Sequence, residues 1–318
     1  MNKRKRDIKK TFFVIGIIAS IILGIVIVSS GAERLQSNSQ KIKIVTTLFP
    51  LYDFVKNVGG NKVEVSLLLP PGVEAHSFEP KPGDIVNINE ADVFIYTGKS
   101  MEPWVDSVIK GASNKKMIII DASIGIKMIP AVFRDNDEPT GSIDPHIWLD
   151  FDNDKIIIQA IAKALSQKDP VNADFYQRNA SEYQDKLSAL DEEYTTGLSK
   201  CKSMEVIYGG HYAFGYLAKR YNLKYLAAQG ISPDAEPTAN DLIQLIDQIK
   251  KDNIQYVFYE ELITPKIAEI LANETNAKLL LLNAGHNITK DDFENGVSFL
   301  SIMEKNLTNL RIGLRCNR

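Results

Sequence analysis

The chain has 318 residues, room for two lobes of ordinary domain size, and its 44% hydrophobic and 24% charged residues are those of a folded globular protein. The formal charge of −3 is unevenly spread: the first 32 residues set Lys3, Arg4, Lys5, Arg6, Lys9 and Lys10 against Asp7, a net of +5, so the remainder carries −8 (−3 less +5). This excludes disorder, collagen and coiled coil, and the acidic remainder offers no footprint for nucleic acid.

The basic start runs into an apolar stretch from Phe12 to Val28, followed by Ser29, Ser30, Gly31 and Ala32. Residues 1–32 therefore read as a secretory signal with a small-residue cleavage point. The stretch, ~17 residues, sits at the lower limit for a spanning helix, so an uncleaved anchor is the alternative. No cysteine follows it directly, which argues against a lipoprotein, and the preceding lysines direct the rest of the chain outward. Export is the expectation, to a cell-surface or periplasmic location. Outside the cytoplasm a disulfide between Cys201 and Cys316, the only two cysteines, is allowed but not dictated.

From Lys41 short apolar runs alternate with amphipathic stretches. Strands are expected at 42–47, 63–69, 93–96 and 117–120, with a helix over 51–58 ended by Gly59-Gly60. The rhythm returns with strands at 205–208, 225–226, 256–259 and 279–282, helices over 241–250 and 265–272, and a helical close from 291 to 314. Strand–helix alternation of this kind gives parallel sheets with helices on their faces. The expected organisation is an α/β lobe over 41–168, a connecting helix over 170–200 and a second α/β lobe over 201–318. The connector carries Phe175, Tyr183, Leu187, Leu190 and Tyr194 at helical spacing without a proline. Thirty helical residues span ~45 Å, enough to run along both lobes.

The chain contains four histidines, His76, His146, His211 and His286, each in a segment beyond an apolar strand and two in each half. Ligands of open parallel sheets bind outside the carboxyl ends of the strands, so facing lobes would bring these segments to one cleft. Four imidazoles suit a tetrahedral zinc ion, with copper and nickel as alternatives and manganese, which prefers oxygen, disfavoured. Glu74 and Glu79 flank His76, and Asp144 and Asp150 flank His146; such carboxylates could accept the second ring N–H of a ligand.

The segments VTTLFPLYDFVKNVGG, LLPPGVEAHSFEPKPGDI, ADVFIYTGKSMEPW, DPHIWLD, GGHYAFGYLAKRY, ISPDAEPTANDLIQLIDQIK and YEELITPKIAEILANET resemble the zinc- and manganese-binding solute-binding proteins of ABC transporters, the cluster A-I or ZnuA/TroA-like family. The resemblance implies a C-clamp of two lobes on one long rigid helix, with the ion between them and delivery to a membrane permease. It also implies a monomer and no enzymatic activity. Carried over by motif, His76, His146 and His211 match the first three ligands, and histidine rather than glutamate at the third points to zinc. Two departures stand out. The fourth ligand of the family is usually acidic, whereas LLNAGHNIT places His286 where the glutamate would stand and Asn283 where an aspartate is common. Glu260, Asp291 or a water are the alternatives to His286. The loop VFRDNDEPTGSI is short and acidic where many zinc members carry a histidine-rich one, so a metal-gathering role for it is not expected. Rival readings are a zinc hydrolase with a three-histidine open site, a haem or siderophore binder, and a surface adhesin; against the first, no H-E-x-x-H helix is present.

Overall fold

The computed structural model describes residues 41–131, 142–231, 233, 236–262 and 265–317. The signal or anchor expected over 1–32, and all of the acidic loop but Ser142 and Ile143, lie outside the described residues. Among the described residues no helix is long and apolar enough to cross a membrane.

The first half runs β1 (Ile42–Thr46), α1 (Phe49–Gly59), β2 (Val63–Leu67), α2 (Pro82–Glu90), β3 (Val93–Tyr96), α3 (Val105–Gly111) and β4 (Ile118–Asp121). Two long helices follow, α4 (Phe151–Lys168) and α5 (Ala173–Leu198). The second half runs β5 (Glu205–Tyr208), α6 (Gly215–Arg220), β6 (Lys224–Ala227), α7 (Ala239–Lys251), β7 (Tyr256–Tyr259), α8 (Lys266–Thr275), β8 (Lys278–Leu281), α9 (Lys290–Glu294) and α10 (Phe299–Gly313). Each half folds into an all-parallel four-stranded sheet, in order β2-β1-β3-β4 and β6-β5-β7-β8. The strand order reverses between β1 and β3 in one sheet and between β5 and β7 in the other, which opens a crevice at each reversal.

The strands are short and apolar because helices cover both faces; all four residues of β3 are buried. α1 starts earlier than the periodicity predicts, since Pro50 sits comfortably in its first turn. The helical close splits in two: Gly296 turns back at φ +71° and Ser298 caps α10 by accepting from Ser301 N–H. α4 stands outside the expected elements, although Ile157, Ile158, Ile161 and Leu165 mark its buried face after the Asp150 cap.

The connector is a single turn of 3-10 helix (Pro170–Asn172) followed by the 26 residues of α5, a rod of ~39 Å. It buries Tyr176, Tyr183, Leu187, Leu190 and Tyr194, with Tyr176 rather than Phe175 opening the apolar stripe. Tyr183 Oη donates to Asp53 of α1 at 2.8 Å, and Tyr194 Oη donates to the Met303 carbonyl of α10 at 2.6 Å. The rod is thus bonded to both lobes. One apolar cluster extends from Ile42 through α1, α4 and α5 to α10 and Leu314, while each sheet keeps a smaller cluster on its outer face. Just beyond the rod, Cys201 is joined to Cys316 by a disulfide that ties its end to the segment after α10.

Candidate metal centre

The four histidines arrive on four loops. His76 follows β2, His146 precedes a 3-10 turn (Ile147–Leu149) that leads into α4, His211 follows β5 and His286 follows β8. His146 Nε2 lies 3.2 Å from His76 Nε2 and 3.2 Å from His211 Nε2. Their ring centroids form a triangle with sides of 5.1, 5.0 and 5.2 Å. Zinc–nitrogen bonds of 2.0–2.1 Å in a tetrahedron would place ligand nitrogens about 3.3 Å apart and ring centres about 5.2 Å apart. The triangle fits.

His286 stands slightly farther out, its ring 5.7 Å from His211 and 6.3 Å from His76. Ligand atoms of Glu74, Glu260 and His286 form a second group, all within 4.8 Å of one another, beside the first group of His76, His146 and His211. His146, His211 and His286 are buried, whereas His76 is part-exposed.

Carboxylates set the tautomers. Asp144 Oδ1 is 2.8 Å from His146 Nδ1 and also accepts from His146 N–H at 3.0 Å. Glu260 Oε1 is 2.6 Å from His211 Nδ1, while its Oε2 accepts from His211 N–H at 3.1 Å. With a carboxylate oxygen beside each Nδ1, the Nε2 atoms of His146 and His211 face each other. Only a shared proton or a shared cation stabilises that arrangement. Two glycines make the close approach feasible, because a Cβ on Gly215 would collide with Asp144 Oδ2 and one on Gly210 with Glu260 Oε2.

The electrostatics favour a cation. Burial drives the His76 and His146 rings well below the ordinary imidazole range, and neighbouring imidazoles push the same way, so both are neutral and ready to coordinate. Burial acts on His211 likewise and is the largest single influence, but the charge and hydrogen bonding of Glu260 together with the charges of Glu74 and Glu261 raise the ring. His286 is lowered by burial against an opposing pull from Glu74. Burial lifts Asp144 to about 7, and burial together with the charge of Glu260 lifts Glu261 to about 8.

The remaining candidates sort by place. Glu74 accepts from His76 N–H at 3.0 Å and shapes that loop. Glu79 is exposed, and among the described residues no polar contact ties it to a histidine, so the expectation that it supports His76 has no contact behind it. Asp150 also points elsewhere: it caps α4 through Asp152 N–H at 2.9 Å and pairs with Arg220 at 2.7 Å. Asp291 is exposed in the first turn of α9, and Asn283 accepts from Gly285 N–H at 2.7 Å. Two residues escaped the sequence reading. Glu261 Oε1 lies 3.7 Å from His286 Nδ1, and Trp148 packs edge-on to His146 with ring centres 5.3 Å apart while donating Nε1–H to the Ala284 carbonyl at 2.7 Å. Their signals were the second acid in Tyr-Glu-Glu after β7 and the aromatic two places beyond His146.

Residues 44–313 match the family described as zinc-uptake complex component A periplasmic, ZnuA. The chain is 35% identical over 293 residues to the high-affinity zinc uptake system protein ZnuA of Bacillus subtilis (strain 168), covering 90% of this chain and 92% of that one. It is 36% identical over 278 residues to the zinc-binding lipoprotein AdcA of Streptococcus pneumoniae serotype 4, covering 85% of this chain but 55% of AdcA. The chain thus spans about half the length of the streptococcal AdcA proteins it matches. Among solved structures it resembles the Zn(II)-bound ZnuA-like domain of S. pneumoniae AdcA, with a TM-score of 0.75 and 35% identity over 86% of this chain and 99% of that domain. With its two parallel sheets on one helical rod and its histidines at the sheet ends, the chain belongs to the ZnuA family of zinc-uptake solute-binding proteins.

Proposed function

We propose that the protein captures a zinc ion between its lobes outside the cytoplasm and hands it to the permease of an ABC importer. The observation that carries this reading is the triangle of imidazole rings, with His146 Nε2 3.2 Å from the Nε2 of each of the other two and two of the three rings backed at Nδ1 by buried carboxylates. His76, His146 and His211 hold the ion, and His286, the one remaining imidazole of the chain, supplies the fourth nitrogen. Asp144 and Glu260 raise the basicity of their rings and, with Glu74 and Glu261 nearby, offset the two positive charges that four neutral ligands leave uncompensated. An all-nitrogen site suits zinc, tolerates copper or nickel and disfavours manganese.

The protein is a carrier rather than an enzyme, as its family is. Zinc uptake carried by a periplasmic component works through a permease in the membrane, and the zinc names of its relatives support the same partner here. We further assign residues 1–32 as the export segment, cleaved or retained as an anchor, and the protein as a monomer.

Metal content of protein purified without a histidine tag, with His286→Ala alongside, tests the reading. The expected result is one zinc per chain in the wild type and weakened zinc retention in the variant. Full retention in His286→Ala removes His286 from the ligand set, and a wild type that holds no zinc from a zinc-replete medium overturns the function.

A further inference from the structure

The loop that carries His76 has no regular structure of its own between Pro70 and Lys81, so a handful of hydrogen bonds decides where it sits. The polar groups at its start are bonded across the cleft. Asn287 Nδ2 donates to the Pro70 carbonyl at 2.8 Å and to the Val73 carbonyl at 2.7 Å. Gly72 N–H donates to the Ile288 carbonyl at 2.8 Å. The Asn287 side chain is fully buried, both its N–H groups are used, and its Oδ1 accepts from Ile288 N–H at 2.9 Å. Its neighbour His286 is fixed to the same lobe as His76 by the Phe49 N–H bond to its carbonyl at 3.3 Å.

We infer that Asn287 is a positioning residue that pins the His76 loop over the bound ion and so sets the rate at which the ion leaves. This rests on the zinc-carrier reading. His76 is the part-exposed member of the histidine set, so an ion departing towards solvent must move its loop aside, and that movement breaks both Asn287 bonds. Asparagine suits the task because one amide group reaches two carbonyls at once. An aspartate of the same shape would meet those carbonyls with acceptors alone, and an alanine would leave both unpaired in a buried place.

The test is the rate of zinc loss from the loaded full chain into excess chelator, for wild type, Asn287→Asp, Asn287→Ala and Asn287→Ser. X-ray absorption at the zinc edge counts the nitrogens on the loaded ion, and thermal unfolding is measured on the metal-free forms. Losing two buried hydrogen bonds predicts release faster by ~10- to 100-fold in Asn287→Asp and Asn287→Ala, with Asn287→Ser, which keeps one donor, between them and the wild type. The nitrogen count stays as in the wild type. Release within about twofold of wild type overturns the inference, as does a lowered melting temperature of the metal-free form with unchanged release, which is what a merely structural role predicts. Should Asn287→Asp fail to fold, the serine variant carries the same comparison. A wild type that binds no zinc at all sinks the parent reading instead, and the two failures are therefore told apart.

Discussion

The two lobes are built on the same sheet and use it differently. Strand order is the same, and each sheet has its crevice beside its first strand, yet the carboxylates at the two crevices have opposite duties. In the first lobe Glu102 is buried and turned inward: Thr47 Oγ1 donates to it at 2.5 Å, Thr97 N–H at 3.1 Å and Gly98 N–H at 2.9 Å. It closes the crevice, and the lobe supplies its histidines from the loops after β2 and β4, the two outer strands. In the second lobe Glu260, directly after β7 and equally buried, is turned instead to His211, which itself follows the inner strand β5. One acid ties two loops of the fold together and the other pairs with a histidine of the proposed zinc site, so position in the topology is not enough to assign a role.

Substitutions should separate those duties. The largest effect belongs to the ligands: His211→Ala or His146→Ala is expected to weaken zinc binding by more than about 100-fold in a competition titration, since residues that merely support ligands already cost about 10–100-fold. Glu260→Gln keeps the shape but loses the charge behind His211, and a loss of zinc affinity of about 10- to 100-fold is the expected reading of the same titration. Glu102→Gln should leave zinc affinity within about twofold while lowering the stability of the metal-free protein by about 1–3 kcal/mol, because an amide cannot accept from all three donors. If Glu102→Gln weakens zinc as much as Glu260→Gln does, the contrast between the lobes collapses.

Acidity sharpens the same contrast. Burial raises Glu102 to about 7, against its Thr47, Gly98 and Thr97 hydrogen bonds, which pull it down. Its folded-state value exceeds its unfolded one, so the folded form binds the proton more tightly. The stabilisation is complete below pH ~4 and is lost as pH rises through 7, amounting to about 3 kcal/mol over that span. Chemical denaturation of the metal-free wild type and Glu102→Gln at several pH values should therefore show a downward slope that is shallower in the variant, since the raised Asp144 and Glu261 remain in both. The smallest effect is reserved for Glu79→Gln, where exposure, with no polar contact to a histidine among the described residues, predicts unchanged zinc affinity.

Much of this was legible from residue order. Parallel sheets followed from the strand–helix rhythm, and the length of α5 from its unbroken apolar stripe, because local patterning decides both. The convergence of His76, His146 and His211 was readable from their places beyond strand ends. What escaped was whatever depends on the turn of a loop. Asp150 and Glu79 sit four and three residues from their histidines, against two for Asp144 and Glu74, a difference too small to sort them. Yet the backbone sends Asp150 to Arg220 and the α4 cap, and Glu79 to solvent. Glu261 and Asn287 went unnoticed because their partners are carbonyls, amides and rings brought near by folding, Pro70 being more than two hundred residues from Asn287. The Cys201–Cys316 pairing depended on the approach of the end of α5 to the end of α10, which no local pattern reports.

The central claim is that imidazoles from both lobes meet on one ion, and X-ray absorption at the zinc edge of the loaded full chain tests it most directly. The account predicts four nitrogen neighbours at about 2.0 Å with the outer-shell scattering of imidazole rings, falling by one in His286→Ala and by one in His76→Ala. A shell dominated by oxygen, or one unchanged when His76 is removed, would contradict it.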